Sequence, residues 1–124
     1  MTIKEGLLYT SEHEWIKDLG DGTMLIGITD YAQQKIGDIS YVELPEQGSA
    51  FSSSDAFCTV ESFKAASDLF APFDLVITNV NTDLEDAPEK INTAPFEAWI
   101  VKVHANPPSG LLSPQDYQKL IAGE

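Results

Sequence analysis

The sequence predicts a mostly β protein built as a sandwich of two antiparallel sheets. Three observations support this fold class: the apolar runs are short, turn residues separate them at close intervals, and only two or three short segments have helical character. No linker or low-complexity stretch divides the 124 residues. We therefore expect residues 1–124 to form a single domain.

The predicted strands combine β-branched and aromatic residues with alternating polarity, and they end at turn residues. In chain order they are residues 7–17, interrupted at 10–12, then 23–28, 39–44, 57–60, 69–71, 76–80 and 98–103. In the first of them we expect His13 and Trp15 on one face and Glu14 on the other. The segment Phe73-Asp74-Leu75 is expected to turn before the strand that begins at Val76.

One short helix is predicted near residues 30–36. Thr29 or Asp30 suits its N-cap, and Gly37 can end it. The polar stretch that follows the strand at 76–80 has room for a further helical turn at 83–86.

A second helix is predicted near residues 114–122, close to the C-terminal end of the sequence. Ser113 suits the N-cap, Pro114 the first helical position and Asp116 the acidic position of a capping box. Gly123 can end this helix.

The charge balance is strongly acidic. Twenty acidic residues face seven basic ones, giving a net charge of −13, and all seven basic residues are lysines. Without arginine the chain lacks the planar fork that grips phosphates and guanines, and its field repels polyanions. Nucleic acid and anionic membranes are therefore poor partners, whereas a basic patch on another protein is a good one. Solubility alone accounts for the acidity equally well.

A single cysteine, Cys58, excludes an internal disulfide and is expected to be a small buried hydrophobe. No apolar run approaches the length of a membrane span, and no targeting segment is recognisable. We expect a soluble protein of a reducing compartment.

Sequence motifs for catalysis are missing. His13 and His104 are the only histidines, and neither stands at metal-ligand spacing from cysteines or carboxylates. The chain has no Gly-rich phosphate loop and no Gly-x-Ser-x-Gly elbow. His13-Glu14 could form an acid–base pair, and Asp38, Glu43 and Glu46 are expected to be solvated.

Lys64 is the residue around which the chain is organised. It lies between the predicted strands 57–60 and 69–71, too close to both for anything but a turn. Glu61 and Asp68 place one carboxylate on each side of it. An exposed lysine of this kind can simply keep a hairpin soluble. On a rigid domain without a catalytic constellation, it also suits amide attachment of a cofactor.

These residues resemble the H proteins of the glycine cleavage system, a family of lipoyl-lysine carriers with a flattened, barrel-sandwich hybrid fold. The matching stretches are residues 9–15 (YTSEHEW), 26–33 (IGITDYAQ), 36–39 (IGDI), 42–48 (VELPEQG), 60–69 (VESFKAASDL), 71–72 (AP), 80–81 (VN) and 99–102 (WIVK).

The resemblance implies that Lys64 carries lipoate and that the protein is a carrier and not an enzyme. It would take an aminomethyl group from a pyridoxal-phosphate glycine decarboxylase to a folate-dependent aminomethyltransferase. A dihydrolipoyl dehydrogenase would reoxidise the dithiol. A monomer is expected, in the cytoplasm of a bacterium or the mitochondrial matrix of a eukaryote.

The resemblance also assigns residues to two sites. Glu14, Ile28, Lys35 and Asp68 match a surface groove that shields the loaded arm from water. Glu61, Asp68 and Gly48 match positions by which the lipoate-attaching enzyme recognises the hairpin.

Three departures from the family pattern are visible. Phe63 replaces a smaller valine beside the lysine, Leu75 replaces a turn glycine, and residues 94–99 are one residue short. Because a non-glycine residue adopts a positive φ at a cost, we hypothesise that the Leu75 turn is rebuilt and that lipoylation efficiency is altered. In addition, Lys35 is often a histidine in relatives.

Two alternative functions stay open on the sequence. One is an H-like paralogue that serves as a lipoyl relay or as a carrier for another pathway. The other is an interaction module without lipoate, in which Lys64 is merely exposed.

Overall fold

A computed structural model of the protein describes residues 1–106 and 109–124. Across these two ranges the chain forms nine strands and four helices. The strands are β1 Leu8–Tyr9, β2 Glu14–Asp18, β3 Thr23–Ile28, β4 Ile39–Glu43, β5 Ala50–Phe51, β6 Ala56–Ser62, β7 Ala66–Phe70, β8 Leu75–Val80 and β9 Val101–His104. The helices are α1 Asp30–Ile36, α2 Asp83–Asp86, α3 Lys90–Thr93 and α4 Pro114–Ala122.

The strands form two antiparallel sheets. The larger sheet has the order β1-β2-β3-β9-β8-β5, and the smaller has the order β4-β6-β7. This arrangement, with helices at Asp30–Ile36 and Pro114–Ala122, confirms the predicted fold class.

Both faces of the larger sheet are covered near β2 and β3. On one face Ile16, Ile26 and Ile28 belong to the main apolar core, which also includes Val42, Val60 and Leu69 of the smaller sheet. On the other face Trp15 packs in a second cluster with Tyr117 of α4. The part of the chain around Glu14 therefore lies between the smaller sheet and the C-terminal helix.

The predicted helix caps are confirmed. The Thr29 side chain accepts a hydrogen bond from the Ala32 N–H and caps α1, and Gly37 ends that helix with a φ of +89°. Ser113 caps α4 by accepting from the Asp116 N–H at 3.1 Å. Local sequence signals are thus sufficient to begin both helices where they begin.

The expected strand position of His13 is wrong, whereas Glu14 and Trp15 do lie on opposite faces of the sheet. His13 precedes β2 and has a φ of +67°, so it is a turn residue and not a strand residue. Glu14, Trp15 and Ile16 are all buried in succession. Because both faces of the sheet are covered at this point, alternation does not leave Glu14 facing solvent.

The expected turn at Leu75 is also wrong. Leu75 is the first residue of β8, is buried in the main core and pairs with Phe51 of β5. Its backbone is not in the positive-φ region. The leucine that replaces the family's glycine therefore does not strain a turn, and the hypothesis of altered lipoylation loses its basis.

Three elements differ from the sequence prediction. The last strand begins at Val101 and not at Ala98; just before it, the Trp99 carbonyl accepts from the Asn81 side chain at 2.7 Å. The strand β5 and the helix α3 were not predicted. Both are so short that packing decides their conformation, not intrinsic propensity.

The close approach of Trp15 to Gly27 generates a stability prediction. A Cβ at Gly27 would lie 2.5 Å from Trp15 Cε2, well below any normal contact distance between carbon atoms. We expect Gly27→Ala to lower the free energy of unfolding by about 2–3 kcal/mol, because the buried Trp15 must move. Urea unfolding measures this loss. The control Gly123→Ala, whose Cβ would make only ordinary contacts, should stay within about 0.5 kcal/mol of the wild type. Equal effects of the two substitutions would contradict the steric account.

Candidate functional site

Lys64 lies at the tip of the hairpin that joins β6 to β7, as predicted. The turn is closed by a 2.8 Å hydrogen bond from the Ser62 N–H to the Ala65 carbonyl. The Ser62 hydroxyl oxygen also accepts from the N–H groups of Lys64 and Ala65, at 3.2 Å each. A tight turn with its own side-chain brace holds the lysine backbone in place and leaves its side chain exposed.

The hairpin tip also contacts the segment that follows α1. The Phe63 N–H donates to the Asp38 carbonyl at 3.4 Å. The Lys64 side chain passes over Gly37, where a Cβ would lie 3.0 Å from Lys64 Cε. Glycine at this position therefore ends the helix and leaves room for the lysine stem.

The flanking carboxylates Glu61 and Asp68 share the outer face of the smaller sheet. Asp68 pairs with Thr59 across the strands, and the Thr59 hydroxyl donates to the Asp68 carboxylate at 3.0 Å. Glu61 is two residues further along β6 than Thr59, so it projects from the same face. The expectation of a carboxylate on each side of the tip agrees with this geometry.

Glu14 is a buried carboxyl with one unsatisfied oxygen. Its residue exposure is 1%, and Oε1 accepts a hydrogen bond from the Thr10 hydroxyl at 3.2 Å. Oε2 has no hydrogen-bond partner among the described residues. Burial raises the pKa of this carboxyl to about 8; the Thr10 hydrogen bond opposes the rise, and the nearby Glu12 charge adds to it. Glu14 is thus neutral below this pKa.

A cavity of about 530 Å³ lies beside Glu14. Its walls come from the β1–β2 turn, the loop before β6, the end of β7 and a stretch near the C-terminal helix; the lining residues are Thr10, Ser11, Glu12, Glu14, Ser53, Ser54, Phe70, Ala71, Pro72, Ser109, Gly110 and Leu111. The strand β7 runs from the Lys64 turn towards this cavity, with Asp68 between them. Its four steps from Ala66 to Phe70 span about 13 Å.

Tyr117 supports the turn that precedes Glu14, a role that the sequence reasoning missed. Its hydroxyl contacts His13 Nδ1 at 2.9 Å and the Thr29 hydroxyl at 2.7 Å. His13 Nε2 also lies 3.4 Å from a Glu124 carboxylate oxygen. These contacts fix the left-handed His13 backbone. The apolar stripe of the predicted C-terminal helix was the only available signal, and it did not show which surface Tyr117 covers.

The other residues assigned from the resemblance lie apart. Ile28 pairs with Glu14 across the strands but is buried in the core and lines no wall of the cavity. Lys35 is exposed on α1, with its ammonium 5.4 Å from the centre of the Tyr31 ring. Gly48 follows the end of β4 that is remote from the hairpin tip, since Ile39 and not Glu43 pairs near Ser62. Their assigned roles stay predictions.

The described residues contain neither a metal-ligand cluster nor a membrane-spanning helix. No cluster of three or more metal-ligating side chains occurs in residues 1–106 and 109–124. Within the same ranges, no helix combines the length and apolarity needed to cross a bilayer.

Comparison with known proteins identifies the family. The family model described as glycine cleavage H-protein matches residues 7–124. The chain belongs to this family. It is 56% identical over 101 residues to a probable glycine cleavage system H protein of Pyrococcus furiosus, covering 82% of this chain and 75% of that protein. A glycine cleavage system H protein of Rubrobacter xylanophilus is 44% identical over 123 residues, with coverage of 98% and 97%.

A solved structure agrees with the sequence relatives. The crystal structure of a glycine cleavage system H protein from Mycobacterium marinum matches with a TM-score of 0.90 and 36% identity, covering 97% of this chain and 99% of that one. The family and fold confirm the predicted function, the carrier component of the glycine cleavage system. Membership implies interaction with other components of that system.

The raised pKa of Glu14 generates a prediction about pH and stability. Between about pH 5 and 8 the folded protein keeps a proton on Glu14 that the unfolded chain has lost. The free energy of unfolding should therefore fall as the pH rises through this range, by up to about 1.4 kcal/mol per pH unit. Glu14→Gln removes this component, so its urea-unfolding free energy should decline less steeply than that of the wild type. Glu97→Gln, at an exposed position, should follow the wild type. Parallel profiles for Glu14→Gln and the wild type would contradict the assignment.

Proposed function

We propose that Lys64 is the attachment residue for lipoate and that the cavity beside Glu14 receives the cargo. The observation that carries the proposal is the exposed lysine on a turn that is braced by Ser62 and held against the segment after α1. Such a mount presents Nζ to enzymes of the size of a whole domain without requiring the carrier to unfold.

The residues around Lys64 fit an amide linkage. Attachment joins Nζ to the lipoate carboxyl with loss of water, and the ammonium charge disappears. Lys64 forms no salt bridge with a described residue, so its acylation breaks no ion pair. The stem already lies over Gly37, which has no side chain to obstruct a longer arm.

When attached, lipoate supplies a dithiolane that takes up an aminomethyl group reductively and regains its disulfide on reoxidation. Glu14 fits the cationic end of that cargo. Its buried Oε2 has no partner, and an aminomethyl ammonium would satisfy it with a charge-assisted hydrogen bond. Binding of the cation favours ionisation of the carboxyl, since an adjacent opposite charge lowers a raised pKa.

The length of β7 suits an arm that is attached at Lys64 and carries its cargo to Glu14. From the Lys64 turn to the cavity, the path along the strand is about 13 Å, and an extended lipoyl-lysine of about ten single bonds of roughly 1.5 Å has a comparable reach. Asp68 lies on this path and places a second carboxylate beside it. Enclosure near Glu14 then excludes water from the bound cargo.

The proposed partners are the enzymes that carry out the reactions on the attached group. The carrier holds and shields the group, and the reactions take place in a glycine decarboxylase, an aminomethyltransferase and a dihydrolipoyl dehydrogenase. A lipoate-attaching enzyme modifies Lys64 first. The net charge of −13 favours basic docking surfaces on these proteins.

Intact mass tests the attachment. We expect a single lipoyl increment when the protein is co-expressed with a lipoate ligase and supplied with lipoate, and none in Lys64→Ala. Lys90→Ala, which changes another exposed lysine, is the matched control and should keep the increment. An unmodified wild type in the presence of a ligase that modifies an established lipoyl domain would refute the assignment.

The role of Glu14 has its own test. In protein loaded with the aminomethyl group, Glu14→Gln should release ammonia to water about tenfold faster than the wild type, because the cation loses its carboxylate. Ammonia release over time measures this rate, and Glu97→Gln should match the wild type. If Glu14→Gln releases ammonia at the wild-type rate, the cargo is shielded elsewhere.

A further inference from the structure

We propose that Phe63 and Tyr41 form an aromatic contact for the enzyme that acylates Lys64, and that this contact determines how tightly the unmodified carrier is bound. The inference rests on the proposed attachment at Lys64. It assigns the partner a specific surface: an apolar socket at the mouth of its lysine channel, surrounded by basic side chains.

Phe63 is the most exposed large hydrophobic residue in the described part of the chain. Its exposure is 82%, and it belongs to neither apolar cluster. Its N–H donates to the Asp38 carbonyl, so its backbone is held at the tip while the ring faces solvent. A phenyl ring exposed next to Lys64 therefore makes no contribution to either core cluster of the described residues.

Tyr41 extends this apolar surface along the outer face of the smaller sheet. It is 50% exposed and stands opposite Glu61, two residues before Phe63. Tyr41 and Glu61 are cross-strand partners and share the outer face, and Phe63 follows the end of β6 at the start of the Lys64 turn. Both exposed rings therefore lie at the Lys64 end of the hairpin.

The charges around these rings select a basic partner. Glu43 and Asp68 both lie opposite Thr59, one rung along the sheet from Tyr41 and Glu61, and complete an acidic border. Between Ile36 and Glu89, Lys64 is the only basic residue of the sequence. Aromatic anchors inside a charged rim are the usual anatomy of a protein interface.

The short side chain of unmodified Lys64 favours the lipoate-attaching enzyme as the partner that contacts Phe63. An unmodified lysine has only its four-carbon stem, so an enzyme that reaches Nζ must cover the adjacent Phe63. The lipoyl chain lengthens the arm considerably, and the enzymes that act on the dithiolane can therefore stay further from the turn. The contact with Phe63 is thus obligatory only before modification.

Steady-state kinetics of lipoylation test the proposal, with a lipoate ligase, free lipoate and ATP, and the unmodified carrier as the varied substrate. We expect Phe63→Ala to raise the KM for the carrier about tenfold with kcat within about twofold, and Phe63→Trp to stay near the wild type. Tyr41→Ala should raise KM several-fold. Val76→Ala, an exposed apolar position on the other sheet, is the matched control and should change neither constant.

The salt dependence of KM distinguishes the contribution of the aromatic contact from that of the acidic border. Raising the salt concentration should raise the KM of the wild type, and Glu43→Gln should make this dependence shallower. Phe63→Ala should keep the wild-type salt dependence while its KM is higher at every concentration. Thermal unfolding of Phe63→Ala should match the wild type, since the ring packs in neither core cluster.

Several outcomes would overturn the proposal. A KM for Phe63→Ala within twofold of the wild type, or below it, would show that the ring does not bind the enzyme. If sedimentation shows a wild-type dimer that Phe63→Ala dissociates, with KM unchanged, the ring contacts a second copy instead. A wild type left unmodified by a ligase that is active on an established lipoyl domain would refute the attachment itself. Normal modification with no effect of Phe63→Ala would remove only the aromatic contact.

Discussion

The hydroxyl of Ser62 braces the turn that carries Lys64. It accepts from the N–H groups of Lys64 and Ala65 and so fixes the reversal between β6 and β7. With the turn fixed, the register of the hairpin follows, and Glu61 and Asp68 emerge on the same face. A slip of one residue would move every side chain of a strand to the opposite face, and the apolar inner face prevents this by anchoring Val60 and Leu69 in the core. The position of one exposed lysine is therefore set by buried residues.

Glu14 illustrates the opposite relation, in which a site residue opposes the stability of the fold. A buried carboxyl with an unsatisfied oxygen costs stability in the isolated protein. Such a cost is tolerated where a ligand later satisfies the group, as the cationic cargo of the proposed function would do for Glu14 Oε2. The surrounding structure maintains this arrangement: Tyr117 and Thr29 hold the turn at His13, and α4 covers the outer face of the sheet. The C-terminal helix therefore helps to hold the turn that precedes Glu14, although none of its residues contacts the buried oxygen.

Much of the fold could be predicted because its signals are local. Ser113 and Thr29 cap their helices through neighbouring N–H groups, and the short distance between two apolar runs requires a turn at Lys64. The burial of Glu14 is not local, because residues as distant in the sequence as Phe70, Ala71 and Leu111 line the cavity beside it. The prediction of a turn at Leu75 is wrong for a related reason. A glycine in relatives suggested a turn, whereas the core beside Phe51 accepts a leucine in a strand. Tertiary packing decided both positions.

Charge gives the partners a way to distinguish the two states of the carrier. Before modification, Lys64 is the one positive charge on an acidic outer face, and the net charge is −13. In the proposed modification, acylation would remove that cation and change the net charge by one unit, from −13 to −14. The enzyme that modifies Lys64 would meet a cation between Glu61 and Asp68, whereas every later partner would meet carboxylates alone. A basic surface would attract the modified carrier slightly more strongly than the unmodified one. The apolar ring of Phe63 would be unaffected by this change and, in our proposal, contacts the enzyme of the one step in which the lysine itself enters an active site.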